Sequence, residues 1–227
     1  MPTYIAQSGA TPVPLDTLRT IATQVSFPPD EITSISDVQD VLTLVGYAEC
    51  TITNAESDIT PAWNEKVELG NATLVNGALQ ASWGAVAMTA AEEADELEIL
   101  KSDAENTVAE DTDAIRADAT SFSSGAGGSD PSVSLKFDTD TLAYLTSVLQ
   151  AAQNANTGAT IRDASGTAVT LTLAQLKYLA ASVIETNQDL QEDVVVAKQA
   201  IAVATTGTAV ATARTTFQTN NPAPTGT

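Results

Sequence analysis

Histidine is absent from this chain of 227 residues, and cysteine occurs once, as Cys50. A chain without histidine has neither a Ser/His/Asp triad nor a Cys/His pair. A single cysteine provides neither an intramolecular disulfide nor a zinc site of paired thiolates. Because Cys50 lies in an apolar stretch, the sequence favours a buried structural thiol over a reactive one. We therefore expect a protein that is not an enzyme and that holds no metal and no cofactor.

Basic residues are also scarce. The chain has 9 Lys and Arg residues against 29 Asp and Glu residues, which gives a formal net charge of −20. Binding to nucleic acid depends on Lys and Arg side chains that neutralise phosphates, and anionic membrane surfaces repel an acidic chain. No run of about 18 apolar residues is present, and the first residues lack the basic and apolar regions of a signal peptide. We expect no nucleic-acid binding, no membrane insertion and no secretion signal.

Aromatic residues make up only 4% of the chain. Much of the apolar content is Ala and Val, whose small side chains favour close contacts between helices over a thick globular core. Trp63 and Trp83 are the largest side chains. They are either core anchors of the N-terminal part or exposed contacts with a neighbouring subunit.

The N-terminal part, residues 1–88, has the turns and short apolar runs of a small α+β unit. Strands are predicted at 49–53, 65–69 and 77–87 from their apolar alternation. Asn76 and Gly77 precede the last of these strands and are a strong signal for a two-residue hairpin turn. For the whole chain we expect an α+β fold that is mainly helical and forms an elongated, oligomeric helical bundle.

A long central helix is predicted over residues 89–122. Thr89 and Glu92 form a capping box, and neither Gly nor Pro follows before Gly125. Apolar residues recur at intervals of three and four along a coiled-coil-like stripe that Asp111 interrupts, and their spacing follows an eleven-residue repeat. The stripe consists of Leu97, Leu100, Ala104, Val108, Ile115, Ala119 and Phe122.

Eleven acidic residues lie between Glu92 and Asp118 on this helix. Because they fall outside the apolar stripe, we interpret them as a solvated helix face. A calcium site is the alternative, but the D-x-[DN]-x-[DN]-G pattern of a calcium-binding loop is absent.

The C-terminal half is predicted in three parts. Residues 123–131 are rich in Gly and Ser and are interpreted as a flexible linker. Residues 132–206 are predicted to form a helix that Asp138 or Asp140 caps, a β-hairpin, and a long helix. Residues 207–227 form a Thr-rich segment in which a last short helix docks through Val210 and Phe217.

The hairpin and the start of the long helix are marked by local signals. Strands at 159–162 and 167–171 flank a turn at 163–166, and Thr172 and Gln175 form a capping box directly afterwards. The turn contains Ser165 beside Asp163, but no histidine is present to activate the hydroxyl, so we interpret it as a turn and not as a nucleophile site.

The long helix carries a regular heptad seam with one polar member. The seam consists of Leu176, Ala180, Val183, Asn187, Leu190, Val194, Ala197 and Ile201. A lone Asn in such a seam fixes register and oligomer state when it meets a symmetry mate. We expect self-association through this seam or the stripe of the central helix, with trimers favoured. The alternative is that the seam packs on the 138–155 helix of the same chain, and the two arrangements can coexist.

Two stretches of the chain resemble modules of bacteriophage tail proteins. In the first, Leu18-Arg19 and Ser26-Phe27-Pro28 precede a helix that closes on Gly46. The segment from Val75 to Val86 and the helix start at Thr89 are similar to the continuation of that module. Leu79 stands where a Trp is common, and Ser82 replaces a Gln.

Residues 138–206 are similar to a second module, a domain of unknown function in tail-fibre and tail-fibre-assembly proteins. The matching residues follow the order of the module's hairpin and long helix. They are Ile161, Asp163, Gly166, Val169, Leu171, Thr172, Gln175, Leu176, Ala200 and Ile201. Together the two resemblances cover about two thirds of the chain.

The resemblance implies a virion role without catalytic residues. We expect a homo-oligomeric structural component of a phage tail, in a fibre or its adaptor, assembled in the bacterial host cytoplasm. Its N-terminal unit would contact other tail or baseplate proteins through Trp63 and Trp83. A tail-fibre assembly chaperone and a receptor-binding adhesin for host attachment are the alternatives.

Overall fold

The computed structural model describes residues 3–21, 34–125 and 130–222. The fold is α+β, with 53% helix and 21% strand, which confirms the predicted class and its helical majority. The chain divides into two compact units, Met1–Ala94 and Asp95–Thr227. In the described part of the chain, no helix combines the length and the apolar character needed to cross a bilayer.

In the described residues of unit 1, the strands form one mixed sheet and one antiparallel pair. The strands are β1 (Tyr4–Ala6), β2 (Val13–Pro14), β3 (Ala48–Ile52), β4 (Glu65–Leu69), β5 (Thr73–Val75), β6 (Ala78–Ala81) and β7 (Trp83–Ala87). Five of them form a sheet in the order β2-β1-β3-β6-β5, in which only β3 and β6 run parallel, while β4 and β7 form an antiparallel pair. Asn76 and Gly77, with φ of 51° and 83°, form the predicted turn between β5 and β6, since both positions of this turn type need positive φ.

Among its described residues, unit 1 also has two short α-helices. They are α1 (Leu18–Ile21) and α2 (Gln39–Val45), and Gly46 ends α2 in the left-handed conformation, as predicted. Ile5, Leu15, Leu18, Val38 and Leu42 form the core between these helices and the sheet. The Ser26-Phe27-Pro28 motif lies outside the described residues.

The single strand predicted at 77–87 is wrong, because the chain changes sheets at Ser82. The Ser82 carbonyl accepts a hydrogen bond from the Gly70 N–H at 2.9 Å. The side chain of Asn54 pairs with the next residue: its Nδ2 donates to the Trp83 carbonyl at 3.0 Å, and the Trp83 N–H donates to its Oδ1 at 2.8 Å. These contacts come from distant parts of the chain, so apolar alternation did not reveal the break.

Unit 2 consists mainly of helices with two hairpins between them, and the boundary between the units falls near the start of α3. The elements are α3 (Ala90–Ala117), β8 (Thr120–Ser123), β9 (Ser132–Leu135), α4 (Thr139–Ala155), β10 (Ala159–Arg162), β11 (Ala168–Leu171), α5 (Leu173–Val203) and α6 (Gly207–Asn220). Strands β8 and β9 pair with each other, as do β10 and β11, and both pairs are antiparallel.

The central helix is shorter than predicted. It ends at Ala117, and Phe122 belongs to β8 instead of the helical stripe. Phe122 is buried and meets Phe137 edge to face at 6.4 Å between ring centroids. The pairing of β8 with β9 and the burial of this aromatic pair favour a strand at Phe122, although no Gly or Pro interrupts the helix. Both contributions depend on residues outside the helix, so the sequence of the helix did not predict where it ends.

The segment predicted as a linker, residues 123–131, joins two strands of one hairpin and does not separate domains. Ser123 pairs with Ser132, and the Ser124 N–H donates to the Pro131 carbonyl at 3.0 Å. Residues 126–129 lie outside the described residues. Residues 207–227 likewise belong to unit 2, where α6 buries Val210 and Phe217 as predicted.

The helix starts follow the predicted local signals. The carboxylate of Asp138 caps α4 by accepting a hydrogen bond from the Thr141 N–H at 2.8 Å. Thr172 and Gln175 form the reciprocal capping box of α5, with hydrogen bonds of 2.9 and 3.2 Å. Thr89 and Glu92 do the same for α3. Each of these caps joins residues three positions apart, so the sequence pattern alone was sufficient.

Candidate contact surfaces

The heptad seam of α5 lies in the core of unit 2. Leu176, Val183 and Ile201 are fully buried, and Leu190 is 3% exposed. They pack in one apolar cluster with residues of α4 and α6, while Val194 packs at its edge. The polar member of the seam, Asn187, is half-buried. The seam is therefore filled by the same chain, as in the alternative that places it against the 138–155 helix, and α6 adds to that packing.

The stripe of α3 also packs on this core. Val108 is fully buried, and Leu97, Leu100 and Ile115 lie partly buried against the same cluster. Asp111, the polar break in the stripe, accepts a hydrogen bond from Gln218 Nε2 of α6 at 2.9 Å. Neighbouring Thr112 is buried and donates its hydroxyl to the Val108 carbonyl at 2.6 Å. The polar break in the stripe is thus accommodated inside one chain.

The two tryptophans of unit 1 differ in their surroundings. Both rings are half-buried, and neither belongs to the apolar clusters of the unit. Trp83 lines two grooves of about 640 and 590 Å³, and Tyr4 lines the same two grooves. Trp63 lines neither of them. Trp83 is consequently the better candidate for contact with a partner.

The hydrogen bonds of Asn54 hold the backbone of Trp83 in place. Because its carboxamide satisfies both the N–H and the carbonyl of Trp83, the start of β7 has a defined position beside β3. Glu49 and Asp58 also line the first groove, and Asp58 Oδ2 accepts a hydrogen bond from the Ala55 N–H at 3.0 Å. An aromatic ring with carboxylates nearby suits a partner surface that combines an apolar patch with hydrogen-bond donors.

Cys50 is buried in β3, with 4% of its surface exposed, which confirms the prediction of a buried thiol. Burial raises the pKa of the Cys50 thiol above its ordinary value. The thiolate is the reactive form of cysteine, so this environment suppresses nucleophilic chemistry at neutral pH.

The turn that contains Ser165 is closed by a carboxylate. Asp163 Oδ1 accepts hydrogen bonds from the Ser165 N–H at 2.9 Å, the Ser165 hydroxyl at 2.6 Å and the Thr167 N–H at 2.8 Å. These bonds lower the pKa of the Asp163 carboxyl, with the Ser165 hydroxyl as the largest cause. The Ala164 N–H donates to the Ser134 carbonyl at 2.7 Å, which ties the hairpin tip to β9. The polar atoms of this motif are engaged in building the turn.

The acidic residues between Glu92 and Asp118 are all exposed or half-buried, in agreement with a solvated face. Across residues 3–21, 34–125 and 130–222, no group of three or more His, Cys, Asp or Glu side chains is placed to hold a metal ion.

The apolar patterns of the sequence did not predict a groove that lies between α5 and α6. It has a volume of about 640 Å³, and valine, alanine and threonine side chains of the two helices form most of its lining. Val196 and Val203 on its α5 side are 57% and 78% exposed. Three consecutive valines at 194–196, only one of them on the heptad seam, are the sequence signal for this surface.

Comparison with protein-family models, with curated proteins and with solved structures finds no match to this chain, so its family is not established by similarity.

Proposed function

We propose that this protein is a non-enzymatic structural component of a bacteriophage tail, in a fibre or its adaptor. It assembles as a homo-oligomer, with a trimer favoured, and links parts of the virion. The observation that carries the proposal is the agreement between motif order and fold in residues 138–206. The pattern of the tail-fibre module requires a helix, a hairpin and a long helix, and α4, the β10–β11 hairpin and α5 follow in that order.

Unit 1 attaches the protein to a neighbouring tail or baseplate protein through Trp83. This assignment is supported by the position of Trp83 between two grooves and by its half-exposed ring. Tryptophan is enriched among the residues that dominate binding at protein interfaces, because one ring buries a large area at a small entropic cost. Trp63, which lies outside both grooves, has the smaller part in this contact.

The homo-oligomer forms through a surface other than the heptad seam. The seam side chains Leu176, Val183 and Ile201 are fully buried in their own unit. Opening this core to admit a second copy would expose a large apolar area, at a cost of about 25 cal/mol per Å².

The proposal is tested on virions purified from the phage whose genome encodes this chain. Quantitative mass spectrometry is expected to find the protein at a fixed stoichiometry. Particles carrying Trp83→Ala should lose it, whereas Trp63→Ala, which removes the same ring from a site outside the grooves, should leave its copy number close to wild type. Absence from wild-type particles would contradict the structural role and favour an assembly chaperone.

A receptor-binding adhesin is the second candidate, and the pairing of Tyr4 with Trp83 along both grooves favours it. Half-exposed aromatic rings beside the carboxylates of Glu49 and Asp58 also suit a polar ligand with an apolar face. Glycan-array binding by the purified protein that is lost in Trp83→Ala and kept in Trp63→Ala would support this candidate over the attachment role.

A further inference from the structure

The groove between α5 and α6 lies on a part of the chain with unusual charge. All 29 acidic residues stand at or before Asp193, so Lys198 and Arg214 are the only charged residues that follow it. Both side chains are exposed and lie outside the groove lining, whereas Asp193 itself lines the groove and accepts a hydrogen bond from Asn221 Nδ2 at 2.8 Å. Two copies with a net charge of −20 repel each other, and residues 194–227, which contain no acidic residue, add no negative charge to that repulsion.

Two threonine hydroxyls in the groove lining are already hydrogen-bonded within α6. Thr212 and Thr216 line it, and their hydroxyls donate to the carbonyls of Thr208 and Thr212 at 2.9 Å each. A threonine whose hydroxyl donates to its own helix has no free donor for a ligand, and its methyl group is the part suited to apolar contact. Asp193, Thr205 and Asn220 are the other polar residues of the lining, and the remaining residues are apolar. The groove therefore suits a surface that is mainly apolar.

Exposed valine side chains form a ridge that borders the groove on the same face. Val196 and Val203 are two turns apart on α5 and are more than half exposed, whereas Ala209 and Ala213 on α6 have only a methyl group each. Small residues allow close approach of a neighbouring helix, and exposed valines supply the side chains that fill the space. A ridge on one copy that enters the groove of the next copy is a head-to-tail contact, the type of contact that closes into a ring such as a trimer.

We propose that this face, defined by Val196, Val203, Ala209, Ala213 and Thr216, is the contact between copies of the chain. The valine ridge of one copy lies in the α5/α6 groove of another. The inference rests on the homo-oligomer of the proposed function and names the surface that forms it. It does not depend on the phage role, because it concerns the association of the purified protein alone.

Light scattering across micromolar concentrations measures the molar mass of the purified full chain and tests this inference. The wild type is expected to be oligomeric, and Val203→Glu should weaken association by at least about tenfold, because it places an unpaired carboxylate in an apolar contact. Val195→Glu is the matched control: it makes the same change on the same helix at a residue that is 52% exposed and outside the groove. It should associate like the wild type.

A mixing experiment identifies the two sides of the contact. Ala209→Lys places a cation in the groove and should also weaken association by itself. An equimolar mixture of Val203→Glu and Ala209→Lys should associate more tightly than either variant alone, since a carboxylate then meets an ammonium group across the contact. Circular dichroism checks that each variant stays folded, which the exposure of Val203 and Ala209 favours.

A monomeric wild type at these concentrations would overturn the inference, as would equal effects of Val203→Glu and Val195→Glu. Neither result bears on whether the protein is present in virions, so failure of the interface and failure of the tail role are distinguished. Association in solution without the protein in virions would leave the interface standing and remove the tail role.

Discussion

Single residues in unit 2 set how closely its elements approach. Gly158 lies just before β10, and a Cβ atom at this position would collide with the Leu171 carbonyl oxygen and come within 3.1 Å of the Thr172 Cα. Both of these neighbours are backbone atoms at the end of β11 and the start of α5. The absence of a side chain at residue 158 thus lets the base of the hairpin close against the start of the long helix.

Gly158→Ala is expected to lower the free energy of unfolding of unit 2 by about 1–3 kcal/mol, the usual cost of forcing a methyl group into a packed site. Thermal denaturation followed by circular dichroism measures the change. Gly84→Ala is the control, because a Cβ there meets no atom within 4 Å. Equal melting temperatures for Gly158→Ala and the wild type would contradict the close contact.

Glu92 combines a helix cap with an ion pair. Its carboxylate accepts hydrogen bonds from the Thr89 N–H and hydroxyl, both at 2.8 Å, and meets Lys66 Nζ at 2.5 Å. The Lys66 bond, followed by those of Thr89, lowers the pKa of Glu92 from 4.5 to about 2. Lys66 also contacts Glu68 at 2.8 Å, and these partners raise the pKa of Lys66 well above its ordinary value.

This lowered pKa predicts a pH dependence for unit 1. Because the folded carboxyl has the lower pKa, the stabilisation by Glu92 is complete above about pH 4.5 and is lost as the pH falls towards 2. Glu92→Gln keeps the capping box but not the ion pair, so its stability should fall less over this range than that of the wild type. Urea unfolding followed by tryptophan fluorescence reports on unit 1, which contains both tryptophans.

Glu93→Gln is the control for this measurement, since it removes one charge from the same helical turn and leaves the contact between Lys66 and Glu92 in place. Its acid dependence should follow the wild type. A Glu92→Gln variant with the same acid dependence as Glu93→Gln would argue against a stabilising ion pair.

At the scale of elements, a heptad pattern shows that a helix buries one face but not which chain covers it. The seam of α5 satisfies the spacing of a coiled coil, and its side chains nonetheless pack on the core that α4 and α6 share. The exposed valines of α5 lie off this seam. The periodicity therefore marks the intramolecular face of the helix, and the residues outside the periodicity mark the face that is free.

Val183→Ala should lower the free energy of unfolding of unit 2 by about 2 kcal/mol, from lost apolar burial and the cavity left behind. Val195→Ala makes the same change at a side chain that is 52% exposed and should cost less than about 0.5 kcal/mol. The melting temperature of each variant measures these effects. If the loss in Val183→Ala disappeared at high protein concentration, the seam would belong to an interface between copies instead.

For the whole molecule, the dominant long-range term is charge. With a net charge of −20 and eleven acidic residues between Glu92 and Asp118, the folded chain brings many like charges close together. Raising the ionic strength from about 0.01 M to 1 M shortens the screening length from about 30 Å to about 3 Å. The melting temperature is expected to rise with NaCl over this range.

The acidic face of α3 should account for part of that salt dependence. A variant with Asp103→Asn, Glu110→Gln and Asp113→Asn removes three exposed charges and should show a smaller rise in melting temperature with NaCl. Differential scanning calorimetry at several salt concentrations provides the comparison. An identical salt dependence in the variant and the wild type would place the repulsion elsewhere in the chain.

The sequence correctly predicted the features that depend on neighbours within a few positions. The capping boxes at Thr89 and Thr172, the cap at Asp138, the Asn76-Gly77 turn and the Gly46 helix end all follow from contacts of this short range. The absence of histidine and the excess of acidic residues likewise limited the expected catalytic and binding functions without knowledge of the fold.

Three features depend on long-range contacts in the fold that a local pattern does not reveal. Asn54 redirects the chain at Trp83, the pairing of β8 with β9 ends α3 early, and α4 and α6 cover the seam of α5. In each case the deciding partner lies far away in sequence, and a periodic pattern records which side chains are apolar but not which surface meets them. The exposed valine ridge beside the α5/α6 groove emerged for the same reason: it is defined by what the rest of unit 2 leaves uncovered.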